Sequence, residues 1–272
     1  MIGFGNPLLD GDPNNPDDRK DAVLALRAQS CAGPTHGQLW LVSARGTHRG
    51  LPPIATGGTF AEAAFIRAQA PLPETAEELC AVARALRADP DDIRLGARAT
   101  VREVEALSES GRLVHYRIVM FATHGALAGQ ITGSNEPGLI LTPPAEPSKA
   151  DAGYLAASAI AGLKLDADWV ILSACNTAAG GARSAEALSG IARAFIYAQA
   201  RGLLVSHWEV DSDAAVKLIT GTMSKLTSNP AIGHAEALRQ SMLALIDDGV
   251  AEGAQPSYWA PFIVVGEGGA SH

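Results

Sequence analysis

Hydrophobic and polar positions along this chain follow two periods that alternate. Short, nearly continuous apolar runs occur at Ile2–Gly5, Asp92–Gly96, Tyr116–Thr123, Trp169–Ala174 and Leu203–Trp208, the pattern of strands buried on both faces of a parallel sheet. Between them, apolar residues recur at helical spacing. Leu79, Val82 and Leu86 follow Thr75-Ala76-Glu77-Glu78, which reads as a capping box. Val101, Val104 and Leu107 follow a Thr100 cap. Leu188, Ile191, Ala192, Phe195 and Ile196 form one face of a helix opened by Ser184 and ended by Gly202. Val216, Ile219, Met223 and Leu226 follow Ser212, and Leu238, Met242 and Leu245 predict a further helix. Gly138–Pro143 predicts a β excursion and Tyr154–Leu165 a short helix, so the crossover is long enough to join parallel strands. The last run, Trp259–Gly266, contains Pro261, which places it at a sheet edge or puts the proline near the strand's beginning.

This alternation predicts an α/β fold, a mostly parallel sheet of about six strands with helices on both faces. Residues 13–58 break the pattern. They are rich in Pro, Gly, Asp and Asn around an apolar patch at Leu39-Trp40-Leu41-Val42, and read as a variable insertion in one domain spanning 1–272. Neither an internal repeat nor a second domain is visible.

Composition narrows the function classes. With 272 residues, 47% of them hydrophobic, the chain can bury a large core, and its net charge of -8 carries no basic surface for nucleic acid. Met1–Pro7 lacks a basic segment followed by an apolar one, and no stretch is long and apolar enough to span a membrane. The expectation is a soluble, cytoplasmic protein. Cys31, Cys80 and Cys175 are an odd set without CxxC spacing, arguing against a disulfide framework and a structural zinc site and for reduced thiols. Cys80 reads as core or boundary packing, and Cys31 lies in a turn-like segment near Pro34 and His36 without enough further ligands for a metal.

Chemistry enters where two strands end. One run delivers His124-Gly125 and another delivers Cys175, and in open α/β sheets ligands gather at the carboxyl ends of the strands. A thiol beside an imidazole there makes a nucleophile, because only the thiolate attacks carbonyls well. Gly125 allows close approach of a substrate carbonyl, and its amide with that of Cys175 forms a candidate oxyanion hole. Ala122, Ser173 and Ala174 keep the edge uncrowded. No Asn or Asp is evidently placed to orient the imidazole, which predicts a dyad held partly by a backbone carbonyl. His207 ends a third strand and is a rival base, whereas His36, His48, His115, His234 and His272 lack supporting context.

Five motifs, Phe121-Ala122-Thr123-His124-Gly125, Leu172-Ser173-Ala174-Cys175-Asn176-Thr177-Ala178, Ala187–Phe195, Ser206-His207-Trp208-Glu209-Val210 and Tyr258–Phe262, occur in an order that resembles the CHAT domain. That family groups with the caspase-like cysteine peptidases, is related to separase, and is commonly joined to tetratricopeptide repeats in bacteria. The resemblance implies a three-layer caspase-like fold, a His124–Cys175 dyad and peptide-bond cleavage without a metal or other cofactor. The two residues stand 51 positions apart, matching the caspase spacing of about 50. Ser173, Trp208, Asp211 and Asp213 are the candidate substrate-binding residues. Acidic Glu209, Asp211 and Asp213 would favour Arg or Lys before the scissile bond, although the family's usual acidic position, four after the tryptophan, is Ser212 here. Asp211 and Asp213 also read as a helix N-cap and a first-turn acid.

Three functions remain open on this reading. They are an endopeptidase for a dedicated protein substrate under a sensor or tetratricopeptide-repeat partner, a catalytically silent interaction module, and a Cys-dependent acyltransferase. The strand beginning almost at Met1 implies that sensor repeats would lie in a longer polypeptide or a separate subunit, and cleavage of the loop Asn176–Arg183 during maturation is left open.

Overall fold

The computed structural model describes residues 1–31, 59–131, 134–148, 151–173, 182–206, 211–247 and 255–267. In chain order the elements are β1 (Ile2–Gly5), α1 (Pro16–Arg27), α2 (Thr59–Arg67), α3 (Glu74–Ala85), β2 (Ile93–Leu95), α4 (Val101–Glu109), β3 (Ile118–Ala122), β4 (Gly125–Ala126), β5 (Gly138–Ile140) and β6 (Tyr154–Ala156). They continue with α5 (Ala157–Ala161), β7 (Trp169–Ser173), α6 (Ala182–Tyr197), β8 (Gly202–Ser206), α7 (Ser212–Ser228), α8 (His234–Asp247), α9 (Pro256–Trp259) and β9 (Phe262–Gly266). The main sheet has six strands among the described residues, in the order β2-β1-β3-β7-β8-β9. Every neighbouring pair is parallel except β8 and β9. Pro261 stands just before β9, an edge strand, where its missing N–H breaks no ladder.

The strands' side chains alternate between two cores. Ile2, Phe4, Val119, Phe121, Val170, Leu172, Leu203 and Val205 join α4, α5 and α6 on one face. Ile93, Leu95, Met120, Ala122, Ile171 and Leu204 join α3, α7 and α8 on the other. This strict alternation is what a period of two requires when both faces are covered. Phe121 is stacked on Phe4 at 5.1 Å and lies 5.6 Å from Phe195, welding β1, β3 and α6.

On the second face α3 lies unusually low over β1. A Cβ on Gly5 would come within 2.5 Å of Leu79 Cδ1 and 2.8 Å of the Ala122 carbonyl oxygen, and one on Gly3 within 2.7 Å of Leu79 Cδ2. Bare backbone at these two positions lets Leu79 settle onto the strand.

Several local expectations are corrected. The capping box at Thr75 does not form, because α3 starts at Glu74 with Pro73 as its N-cap, two residues earlier than the box requires, and the Thr75 hydroxyl donates to Leu72 O (2.7 Å) and accepts from Asn6 N–H (2.8 Å). Gly202 does not end α6 but begins β8; the left-handed residue after the helix is Gln199, at φ 75°. Tyr154–Leu165 opens as a strand, β6, paired antiparallel to β5, before the short α5. Ile196 is 41% exposed instead of joining the buried face of α6. Residues 13–31 carry α1, whose Asn15 side chain accepts from Asp17 N–H, while 32–58 lie outside the described residues.

The reduced-thiol reading is also overturned in part, since Cys31 and Cys80 are joined in a disulfide with Cα atoms 5.4 Å apart. The pairing arises because the segment after α1 folds against α3, a proximity that a separation of 49 residues does not reveal. Among the described residues no helix is long and apolar enough to cross a membrane, and no group of three or more His, Cys, Asp or Glu side chains is placed to hold a metal ion.

Candidate active site

The carboxyl edge of the sheet collects polar side chains from successive strands: Asn6 after β1, Thr123 and His124 after β3, Ser173 at the end of β7 and Ser206 at the end of β8, all buried. Ladder register sets their relative height. Ala122 pairs with Ser173, and every β3–β7 pair from Ile118–Trp169 onward keeps the same offset. His124 and Cys175 each lie two residues beyond that last pair in sequence. Cys175 itself lies outside the described residues, as do His207, Trp208, Glu209 and the loop from Asn176 to Gly181.

His124 is clamped at both backbone and ring. The Thr123 hydroxyl donates to the Ile140 carbonyl, and the Ile140 N–H donates to the His124 carbonyl at 2.9 Å. Its ring Nε2 lies 2.7 Å from the Ala70 carbonyl oxygen, between α2 and α3. A carbonyl only accepts, so Nε2 carries the proton and Nδ1 of the neutral ring holds a lone pair. That Nδ1 is buried with no partner among the described residues. Burial pushes the His124 pKa below its ordinary value, with the Ala70 carbonyl opposing to a smaller extent. The ring is therefore held in its neutral form at neutral pH, with a backbone carbonyl as the partner of Nε2.

Gly125 opens β4 and faces Leu139 of β5. Because the flanking hydrogen bond runs from Ile140 N–H to the His124 carbonyl, the Gly125–Leu139 pair is a non-hydrogen-bonded one and the ladder leaves the Gly125 amide unused. Among the described residues a Cβ there would meet only the Gly138 carbonyl oxygen, at 4.0 Å.

Ser173 is only 2% exposed, and its hydroxyl is close enough to Glu78 on α3 to favour the charged form of that carboxyl. Glu78 is 3% exposed, its Oε1 has no partner among the described residues, and burial pushes its pKa up to about 7, the Ser173 hydroxyl opposing. Sequence reasoning assigned Glu78 to a cap and missed this role. The signal was its spacing, because Glu78 falls three residues after Thr75 and one before Leu79, on the buried stripe of the helix.

The remaining candidates are spread out. Asp211 is the N-cap of α7, its Oδ1 accepting from Asp213 N–H (3.0 Å) and Ala214 N–H (3.1 Å), and Asp213 is exposed in the first turn. His115 is exposed, and His234 lies against Trp169 at 4.6 Å.

The sequence model of the CHAT domain matches residues 8–267, nearly the whole chain. The chain belongs to the CHAT domain family. No curated protein matches it. Membership brings in the caspase-like cysteine peptidases, and the six-stranded, mostly parallel sheet between helical layers agrees with a caspase-like fold. In this CHAT domain the residues after β3 bring together a buried imidazole, whose Nδ1 has no partner among the described residues, and the Gly125 amide that the β4–β5 ladder leaves unused.

Proposed function

We propose that this chain is a cysteine endopeptidase in which Cys175 attacks a peptide carbonyl with His124 as base. One observation carries the reading: His124 and Cys175 each stand, in sequence, two residues beyond Ala122–Ser173, the last pair of the constant register between the neighbouring parallel strands β3 and β7. The unpartnered Nδ1 of His124 and the Ala70 carbonyl on its other nitrogen support it.

In the proposed reaction the Cys175 thiol gives its proton to His124 Nδ1, and the thiolate sulfur bonds to the carbonyl carbon. The amides of Gly125 and Cys175 stabilise the resulting oxyanion. As the carbon–nitrogen bond breaks, the imidazolium returns the proton to the leaving amine, and a water, deprotonated by the same ring, hydrolyses the thioester. No cofactor is required. Trp208, Asp211 and Asp213 are proposed to line the pocket for the residue before the scissile bond, favouring Arg or Lys. Because Asp211 already caps α7, Asp213 is the freer of the two. Ser173 acts from beneath the site, since it is buried.

The proposal extends to a single catalytic domain acting on a dedicated protein substrate, under a sensor or tetratricopeptide-repeat partner. It also includes a cytoplasmic setting, where Cys175 stays reduced; the Cys31–Cys80 bond is the feature least usual there. The test is a peptide library carrying Arg, Lys or other residues before the cut, with and without candidate partners. Cys175→Ala and His124→Ala are each expected to lose cleavage by about 10⁴-fold or more while keeping the wild-type melting profile. Retention of cleavage by either folded variant ends the dyad reading.

A further inference from the structure

Two helices meet the end of β1 at one residue. Asn6 donates from its side-chain Nδ2 to the Ala25 carbonyl (2.9 Å) and the Ala28 carbonyl (2.8 Å) at the end of α1, and from its backbone N–H to the Thr75 hydroxyl (2.8 Å) in the first turn of α3. The Thr75 hydroxyl in turn donates to the Leu72 carbonyl (2.7 Å), and two residues before Leu72 stands Ala70, whose carbonyl accepts from His124 Nε2 at 2.7 Å. A run of hydrogen bonds therefore leads from α1 to the imidazole through α3 and its lead-in, which together brace the carboxyl edge of the sheet. The Cys31–Cys80 bond closes this run into a ring, because it ties the residue three past Ala28 directly to α3.

We propose that the Cys31–Cys80 bond is a redox switch on the seat of His124: closed, it keeps α1 on α3 and the ring on Ala70, and open, it lets α1 leave and the ring lose that partner. Only its bearing on cleavage rests on the reading of His124 as the base. Without the bond the two helices are held unequally. α3 buries Ala76, Leu79, Val82 and Ala83, whereas Ala25 is the one apolar residue that α1 buries fully, and Val23 and Leu26 are 47% and 57% exposed. α1 is thus the part that a broken bond releases. Asn6 then loses both acceptors of its side chain, the contacts that fix it in a left-handed backbone at φ 49°. As Asn6 relaxes, its N–H leaves the Thr75 hydroxyl, and the lead-in that carries Ala70 loosens. Exchange begins at Cys31, which is partly exposed while Cys80 is only 7% exposed. A dithiol reductant attacks the Cys31 sulfur, and Cys80 leaves as thiolate and takes a proton. The second thiol of the reductant then displaces Cys31, so that two cysteine thiols form and the dithiol is oxidised to its own disulfide. Where disulfides occur in cytosolic proteins they are mostly of this reversible kind.

The experiment records the NMR signal of the His124 Nε2 proton in the oxidised chain, in the chain reduced with dithiothreitol, and in Cys31→Ala. The state of the bond is read in parallel by iodoacetamide alkylation at the Cys31 and Cys80 peptides, followed by mass spectrometry. A buried ring proton bonded to a carbonyl is sheltered from exchange with water and gives a signal. That signal is expected in the oxidised chain, lost on reduction, regained on reoxidation and absent from Cys31→Ala throughout, while the Ile171 amide in the middle of β7 keeps its shift. A ring signal that survives in the reduced, alkylated chain or in folded Cys31→Ala overturns the proposal. Loss of the Ile171 signal together with the ring signal also overturns it, since the bond is then a staple for the whole fold, and so does a bond that dithiothreitol leaves closed in the native chain. If Cys31→Ala does not fold, reduction and reoxidation of the wild type decide alone. The readout needs neither substrate nor Cys175: loss of the nucleophile reading leaves the switch standing, whereas a ring indifferent to the bond removes only the switch.

Discussion

The two ends of the central sheet treat charged and ionisable groups in opposite ways, while Trp169 Nε1, at the amino end of β7, is also buried without a partner among the described residues. At the amino ends of β3, β7 and β8, charges are exposed and paired: Arg117 grips Asp168 through two hydrogen bonds of 2.6 Å, and Arg201 bridges Asp168 (2.7 Å) and Asp166 (2.6 Å). These side chains are 29–59% exposed. At the carboxyl ends Asn6 and His124, and on α3 Glu78, are buried, and each keeps a polar atom without a partner among the described residues, Oδ1, Nδ1 and Oε1 respectively. Folding alone accounts for the first arrangement and disfavours the second, since exposed pairs cost little and contribute little, whereas an orphaned buried group costs about 1–3 kcal/mol. Polar groups held against that penalty mark the edge where chemistry is to be sought.

The largest expected effect concerns the brace that holds the costly edge together. The Cys31–Cys80 bond closes a loop of 49 residues onto α3. In the chain-entropy account a loop of that length stabilises by roughly 4 kcal/mol. A Cys31→Ser, Cys80→Ala double variant is expected to lose about 2–4 kcal/mol in urea unfolding under non-reducing conditions. Addition of a reductant should bring the wild type to the same midpoint, and identical midpoints in all three samples would remove the bond from the account.

Next comes the carboxyl that the brace carries. Burial raises the folded-state pKa of Glu78 from the ordinary 4.5 to about 7. The stability it contributes is therefore full below pH 4.5 and is lost as pH rises through about 7. The loss is on the order of 3 kcal/mol. His124 acts with the opposite sign, because its lowered pKa withdraws stability as pH falls through the folded value. Unfolding midpoints of wild type and Glu78→Gln should diverge between pH 5 and 8, the variant becoming relatively more stable toward alkaline pH. Parallel curves would mean that Glu78 is solvated in solution, and the contrast between the two ends would weaken.

Much of this was legible in the sequence, and the gaps have physical causes. The strands of the main sheet declare themselves because burial on both faces leaves little but apolar residues, as in Val119–Ala122 and Trp169–Leu172. The Thr100 cap was readable because its bond is local, from Glu103 N–H at 3.1 Å. Thr75 presented the same signature and was misread, since a partner 69 residues away, the Asn6 amide, engages its hydroxyl. The disulfide was invisible for the same reason, because it joins segments that only tertiary packing brings together. His124 and Gly125 were found because strand end and motif coincide. Ala70 could not be named, because its backbone carbonyl leaves no mark in the side-chain sequence.

The smallest effect should come from the opposite end, where the charges look most organised. Asp168 joins two arginines, yet the group is open to water, so its attraction is screened and partly cancelled by the cost of ordering long side chains. Replacing Asp168 by Asn leaves a carbonyl oxygen for one guanidinium and lets the other return to solvent. The melting temperature is expected to fall by no more than about 2 °C at low salt and to match wild type in about 1 M NaCl. Alkylation of Cys175 should be unchanged in both, since the substitution lies at the far end of β7 from Ser173. A loss of alkylation in Asp168→Asn would show that strain passes along the strand from one end to the other, and the sheet would then have to be treated as one coupled unit instead of two independent edges.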